Sequence, residues 1–549
     1  MSDSSERVYL DYLNELDALE RFRRKYQERH PAAPLVREDP DVRRLIESLA
    51  FFSVQTRQAT LRSIRSVWWR LFSGFFDFMV EPVPSAALVQ AVPTEKMVEP
   101  VLLPRGTELR LTPPGEAPGF FRTRRDVRVL PIFLEATDVL PLERGGHRLI
   151  MRFEARFARR DEVGQLSLHV RHLEEYGSSL AVFHALRRHL RQVSVVYDQD
   201  ADTRSSGEPC EVSFGRSASF AEDASDYAHP FRRIRSLFHF PEQELFIHLQ
   251  VPASRKPWTR FSLCFDLEQA WKTGRSLHPE FLQPFVVPLE NLKAEPAQPL
   301  IANGTRSEYP ILNVSAGANM RLHSVTHVYE VTPKGRSLLR PAFLPGEGPS
   351  FEIEESIGAE LGAHHRLLLR MPEALTSPRR IVVEGLWHQP QFASRALGRI
   401  DVSMPGRHVE GLRWQILGNV VPSQDSPLHD DLAALTRLLA WKSRPTLSRN
   451  ELLALLMYLG TPAHSPLGRV IPWVRELKVS TLPDSALRGS GLQHIYEITL
   501  EPFEPGFEPL VVAFLQQVRE VLDIWNSDAS VELRATVAGV GPLPLLVAA

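Results

Sequence analysis

Clusters of histidine and carboxylate are the first places in this chain where chemistry could occur. His169 and His172 are followed by Glu174 and Glu175, a donor set able to hold a metal ion if one helix gathered it. Leu166, Leu168 and Val170 alternate instead, and on a strand the two imidazoles would point to opposite faces. The adjacent pair His364-His365 diverges in a helix or a strand. Glu354 and Glu355 are neighbours in a β-like run and likewise face apart, unlike the opposed carboxylates of acid–base catalysis. Arg122, Arg124 and Arg125 stand beside Phe120 and Phe121, types that bind single-stranded nucleic acid by charge and stacking. Asp126 is adjacent and the formal net charge is only -2, so an ion-paired strand end suits the same residues better.

No G-x-G-x-x-G or G-x-x-x-x-G-K-[ST] phosphate loop occurs, and no G-x-S-x-G or H-E-x-x-H motif. Cys210 and Cys264 are the only cysteines, too few for a disulfide framework and without Cys-x-x-Cys spacing. The expectation is a protein that is not an enzyme, with no catalytic, cofactor-binding or metal residue assigned. The competing reading is a cytoplasmic metal-dependent enzyme using His169 and His172.

The elements that carry these residues span 549 positions, enough for several domains. Hydrophobic residues make up 43% and charged residues 24%, the balance of a globular chain with a sizeable core. The 8 lysines against 56 arginines fit GC-rich codon usage, and arginine also suits large protein interfaces. Met1 to Glu6 lacks the basic start and apolar core of a signal peptide. Val67 to Val80 is the most apolar stretch, but it is too short for a bilayer of roughly 30 Å and contains Arg70 and Asp77. A cytoplasmic protein without membrane insertion is expected.

Leu13, Leu16, Leu19, Phe22 and Tyr26 recur at helical steps. A second helix starts at Asp39-Pro40-Asp41, with Asp39 as N-cap and Pro40 at the first position. Its face runs through Val42, Leu45, Ile46, Leu49 and Phe52, then Leu61, Ile64, Trp68, Leu71 and Phe75 at heptad-like steps. Around Trp68, Trp69, Phe72, Phe75, Phe76 and Phe78 apolar rings point all ways, so the helix must be surrounded. Either this chain's own core or a partner helix covers them. Leu61, Ile64, Trp68, Leu71, Phe72 and Phe75 are the interface candidates.

From Pro82 to about Val420, short β-like runs alternate with turn signals. One helix is expected with Leu180, Phe183, Leu186, Leu190 and Val193 on a face, and a long exposed loop from Asp198 to Asp226. Helices return at Leu428 to Lys442 and Ser448 to Leu459, the latter with a capping box of Ser448 and Glu451. The run Ile495 to Leu500, a helix from Pro509 to Trp525 and a strand from Ser530 to Val537 predict a closing β-α-β unit. The fold class is therefore α+β and multidomain: a long-helix region at 1–80, a β-rich domain at 81–270 with one inserted helix, a second at 271–425, and a small α/β domain at 426–549.

Taken in order, these segments resemble the TssF (VasA/ImpG) family. The resemblance rests on Asp39-Pro40-Asp41-Val42, the Pro82-Val83-Pro84-Ser85 turn, the unbroken Pro104 to Leu109 (PRGTEL), and Phe121 to Val127 with Leu130-Pro131. Looser matches follow at Phe240-Pro241-Glu242, Ala294-Glu295-Pro296, Glu308-Tyr309-Pro310, Ser324-Val325 and Ile524 to Ser527. Three family segments are missing: Leu386 to Ala393 stands where a Cys-Thr-Asn-Arg run is expected, Phe76-Asp77-Phe78 replaces Tyr-Pro-His, and Gly541 to Ala549 lacks the basic tryptophan-containing tail.

The resemblance implies a structural wedge subunit of the type VI secretion baseplate, a contractile injection apparatus. It implies two copies joined to one TssG, with TssK, TssE, the spike hub and a second copy of this chain as further neighbours. It places the chain in the cytoplasm, in a baseplate docked at the inner-membrane complex; the near-neutral net charge separately argues against a nucleic-acid partner. A phage-tail-like baseplate wedge protein is the alternative, because wedge architecture is shared.

Overall fold

The computed structural model describes residues 2–544 except 33–38, 144, 216–228, 269–277, 279, 316–318, 334, 359–361, 372–376, 407–408, 429–430, 461–464, 484–490 and 527–528. The described helices are α1 (Ser2–Arg29), α2 (Pro40–Phe75), α3 (Asp77–Val80), α4 (Tyr176–His189), α5 (Pro230–His239), α6 (Phe392–Arg395), α7 (Leu432–Lys442), α8 (Arg449–Tyr458) and α9 (Glu508–Trp525). With several separate sheets among them, the chain is α+β and multidomain. It divides into two compact units: Met1–Asp77 with Pro296–Val314 and Val325–Glu384, and Phe78–Glu295 with Ser315–Ser324 and Gly385–Ala549.

In the first unit α1 and α2 pack on each other. Asp39 caps α2, its carboxylate accepting from the Asp41 N–H at 2.9 Å, and Pro40 follows at the first turn, where its missing N–H costs nothing. The helix then runs 36 residues. The β part of this unit centres on an antiparallel hairpin of Ser350–Gly358 and Gly362–Arg370, in register from Ser350↔Arg370 to Gly358↔Gly362. His365 lies opposite Glu355, and the His364 side chain lies outside the described residues.

The second unit holds two large sheets. A six-stranded sheet runs Asp401–Ser403, Glu108–Thr112, Gly119–Thr123, Val286–Glu290, Ala86–Pro93, Leu412–Val421. Because successive strand residues face opposite ways, Ala87 and Val89 join Leu109, Phe121 and Leu289 in one core, while Ala86 and Leu88 join Phe240, Phe246 and Leu417 in another. An eight-stranded sheet runs Leu282–Pro284, Gly164–Val170, Phe246–Val251, Glu208–Phe214, Leu190–Tyr197, Trp258–Leu267, His147–Arg159, Phe133–Pro141.

The closing unit has the expected β-α-β form. Leu492–Leu500 lies parallel to Ala529–Val537, with α9 between them in sequence and its face of Leu510, Phe514, Val518, Val521 and Leu522 buried. The Ser448–Glu451 capping box on α8 is present.

Three local expectations are corrected. Helix α4 ends at His189, and Val193 belongs to the strand Leu190–Tyr197, where the β-branched run Val193, Val195, Val196 is buried between two neighbouring strands. The expected loop from Asp198 to Asp226 contains the strand Glu208–Phe214, paired on both sides, with Ala201 and Cys210 buried; residues 216–228 lie outside the described residues. Helix α5 was not expected.

Candidate partner interface

Helix α2 carries two apolar stripes where the sequence suggests one. Ala50 and Val54 are buried, and Val42 and Ile46 complete the same four-residue step, half-buried. On α1 the corresponding inner residues are Tyr12, Leu16, Leu19 and Arg23, and Ser53 donates to Glu15 across the helix pair at 2.8 Å. Leu45, Leu49 and Phe52 form the second stripe, and all three are exposed, Phe52 to 64%. Ile64 and Val67 continue the exposed apolar character, and α1 adds Tyr9, Leu10, Leu13 and Phe22. A buried Leu or Phe is worth about 1.5–3 kcal/mol, so this outer stripe leaves several such contributions unrealised in the single chain.

Among the six interface candidates, Ile64 is 44% exposed. Phe72 is fully buried and stacks on Phe76 with ring centroids 4.7 Å apart, so its ring is already occupied by its own chain. The side chains of Leu61, Trp68, Leu71 and Phe75 lie outside the described residues.

The two patterns carrying the resemblance interlock in space. Gly106, at φ +82°, turns the chain between Pro104 and Thr107 and donates to the Thr123 carbonyl at 2.8 Å. The Thr107 and Thr123 hydroxyls both donate to the Pro104 carbonyl, at 2.6 and 2.9 Å. The Asp126 carboxylate accepts from the Arg105 N–H at 2.6 Å. Asp126 is therefore a backbone partner, and the expected ion pair forms with a different acid: Glu290, 2.7 Å from Arg122 and 3.5 Å from Arg124. Burial would raise the Glu290 carboxyl, but the guanidiniums of Arg124 and Arg122 outweigh it and hold the group below its ordinary value.

Arg125 is half-buried, its guanidinium over the Phe246 ring at 3.6 Å and donating to the Val286 carbonyl; desolvation lowers it to about 9. Phe121 is fully buried against Phe392, and Phe120 lies under Lys293. Phe121 is thus a core residue, while Phe120 is half-buried with its ring already covered by Lys293 and Arg110.

The histidines do not converge. His169, at the end of its strand, shares a hydrogen bond with the Glu242 carbonyl at 3.0 Å and packs edge-on against Phe246; burial lowers it to about 3. The strand stops at Val170, so His172 sits in the following turn, paired with the Ser178 hydroxyl at 2.7 Å. Glu174 is exposed and ion-paired to Arg171. Among the described residues no group of three His, Cys, Asp or Glu is placed to hold a metal ion.

The sequence reading missed the α5 cluster. Phe231, Ile234, Leu237 and Phe238 bury one face of this helix, and Arg235, also buried, donates to the carbonyls of Phe78 and Glu81. The signal was present as Pro230 at the first turn followed by apolar residues three and four apart.

The sequence matches the family model described as type VI secretion system, TssF, over residues 5–347. No curated protein matches it in sequence. Its fold is similar to a chain of the type VI secretion system TssK-TssF-TssG baseplate subcomplex seen by cryo-electron microscopy, with a TM-score of 0.71 and 18% identity over 91% of this chain and 97% of that one. It is also similar to a chain of the type VI secretion baseplate complex, with a TM-score of 0.60 and 17% identity over 97% and 98%. Matched by the family model over more than half its length and by fold over nearly all of it, the chain belongs to the TssF family of structural type VI secretion baseplate components.

Proposed function

We propose that this chain is a wedge subunit of the type VI baseplate, two copies joining one TssG, with the outer stripe of α1 and α2 as the docking face. The observation that carries the reading is that stripe: Leu45, Leu49 and Phe52, followed by Ile64 and Val67, lie exposed along one long helix. A helical partner laid on it would gain knobs-into-holes packing. Leu61, Trp68, Leu71, Phe72 and Phe75 are proposed as further residues of the same docking region. TssK, TssE and the spike hub are the further neighbours, in a cytoplasmic baseplate docked at the inner-membrane complex. No helix among the described residues is long and apolar enough to cross a membrane.

Co-expression with the neighbouring TssG-like gene and native mass measurement test the proposal. A complex with two copies of this chain per partner is expected. A folded chain that ignores the partner refutes the wedge reading.

A further inference from the structure

Unit 1 carries sixteen of the twenty-six exposed large apolar side chains among the described residues, although unit 2 is more than twice its length. Six of the sixteen lie away from the helices, and the most exposed is Phe343, at 83%. Its turn is ordered in advance. Arg340 donates to the carbonyls of Leu344 and Gly346, the Leu344 N–H to Pro341 at 3.1 Å, and the Ala342 N–H to Phe351 at 2.8 Å. An aromatic ring held out on a pinned turn loses little further freedom when it docks, the usual condition for an interface anchor.

Unit 2 offers a matching receptor. A cleft of about 430 Å³ opens between Val98–Pro100 and Phe157–Asp161. Val98 and Phe157 are 57% and 53% exposed along it. Cleft and turn each carry one acid and one base, Glu99 with Arg160 and Glu347 with Arg340. Arg159 is paired with Asp161, which leaves Glu99 and Arg160 without ion-pair partners among the described residues. The turn presents Arg340, bonded only to neutral carbonyls, and Glu347, which has no ion pair among the described residues.

We infer that the Phe343 turn of one copy docks in the Val98/Phe157 cleft of a second copy, with Glu347 meeting Arg160 and Arg340 meeting Glu99. The contact is heterologous, so it can link successive copies around a closed ring. It is also small, and gains its strength from the high local concentration of copies already held in an assembly. The inference rests on the proposed function, in which several copies meet in one apparatus.

The test uses full-length chain purified with its TssG-like partner. Both native cysteines of this chain are buried, and the single-variant preparations control for any thiol of the partner. Chain carrying Ala342→Cys is mixed with chain carrying Ala158→Cys and oxidised. A disulfide dimer is expected from the mixture and from neither variant by itself. Phe343→Asp should lower the yield about tenfold or more. Glu347→Arg on the first chain, or Arg160→Glu on the second, should also lower it, and the two together should restore it.

The same oxidation is run on concentrated chain without the partner, so a failed complex still leaves the contact measurable. Loss of the complex in the unaltered chain would count against the wedge proposal. No dimer in either preparation, or a yield indifferent to Phe343→Asp or to the charge exchange, overturns the docking contact.

Discussion

Gly106 shows how one residue can carry a whole motif. Its φ of +82° lies in the left-handed region, and a Cβ there would meet nothing within 4 Å, so the constraint is conformational and not steric. Gly106→Ala should cost about 1–2 kcal/mol, read as a lower urea midpoint at unchanged slope; an unaltered midpoint would contradict this account of the Pro104 to Leu109 pattern. The buried histidines give a second prediction. Burial holds His239, His248 and His323 at about 4 and His169 at about 3, all below the ordinary 6.5. Because the folded values are lowered, the unfolded chain takes up these protons first as pH falls. Stability is therefore full above about 6.5 and is lost as pH falls toward about 4. Urea midpoints should drop between about pH 7.5 and about pH 5, and His248→Gln should remove part of that drop; equal midpoints would refute it. The sequence displayed these histidines but not their partners. Alternation set His169 and His172 on opposite faces of a strand; the structure instead ends the strand at Val170 and gives each a separate partner, Glu242 and Ser178.

At the scale of elements, α2 was legible in its start, length and apolar content, since Asp39-Pro40 and the heptad-like spacing are local properties. What spacing could not say is which apolar residues face α1 and which face outward: Val42 and Ile46 turn in, while Leu45 and Leu49 turn out. Leu49→Glu with Phe52→Glu should leave thermal stability within a few degrees of the parent, since both side chains are already exposed, yet abolish co-purification with the TssG-like partner. If the double variant still co-purifies, the outer stripe is not the docking face; if it unfolds, the stripe is part of the chain's own core. The end of α4 shows the opposite case. Apolar spacing continued the helix to Val193, but pairing of Leu190–Tyr197 with two strands outweighs a few tenths of a kcal/mol per residue of helical preference.

Across the whole molecule, the sequence by itself determined what depends on local order. The long capped helix, the capping box of α8, the closing β-α-β unit and the α+β class follow from periodicity, N-caps and turn residues, which act within a few positions along the chain. The motifs from Asp39 to Pro131 also sufficed to indicate the family. Only the tertiary structure decided that Met1–Asp77 belongs in one unit with Pro296–Val314 and Val325–Glu384. It also decided that Glu208–Phe214 fills a place in a sheet, and that Glu290 is the acid meeting Arg122 and Arg124. These pairings join residues far apart in sequence, and each is fixed by which surfaces lose water together, a quantity that no local window of residues contains.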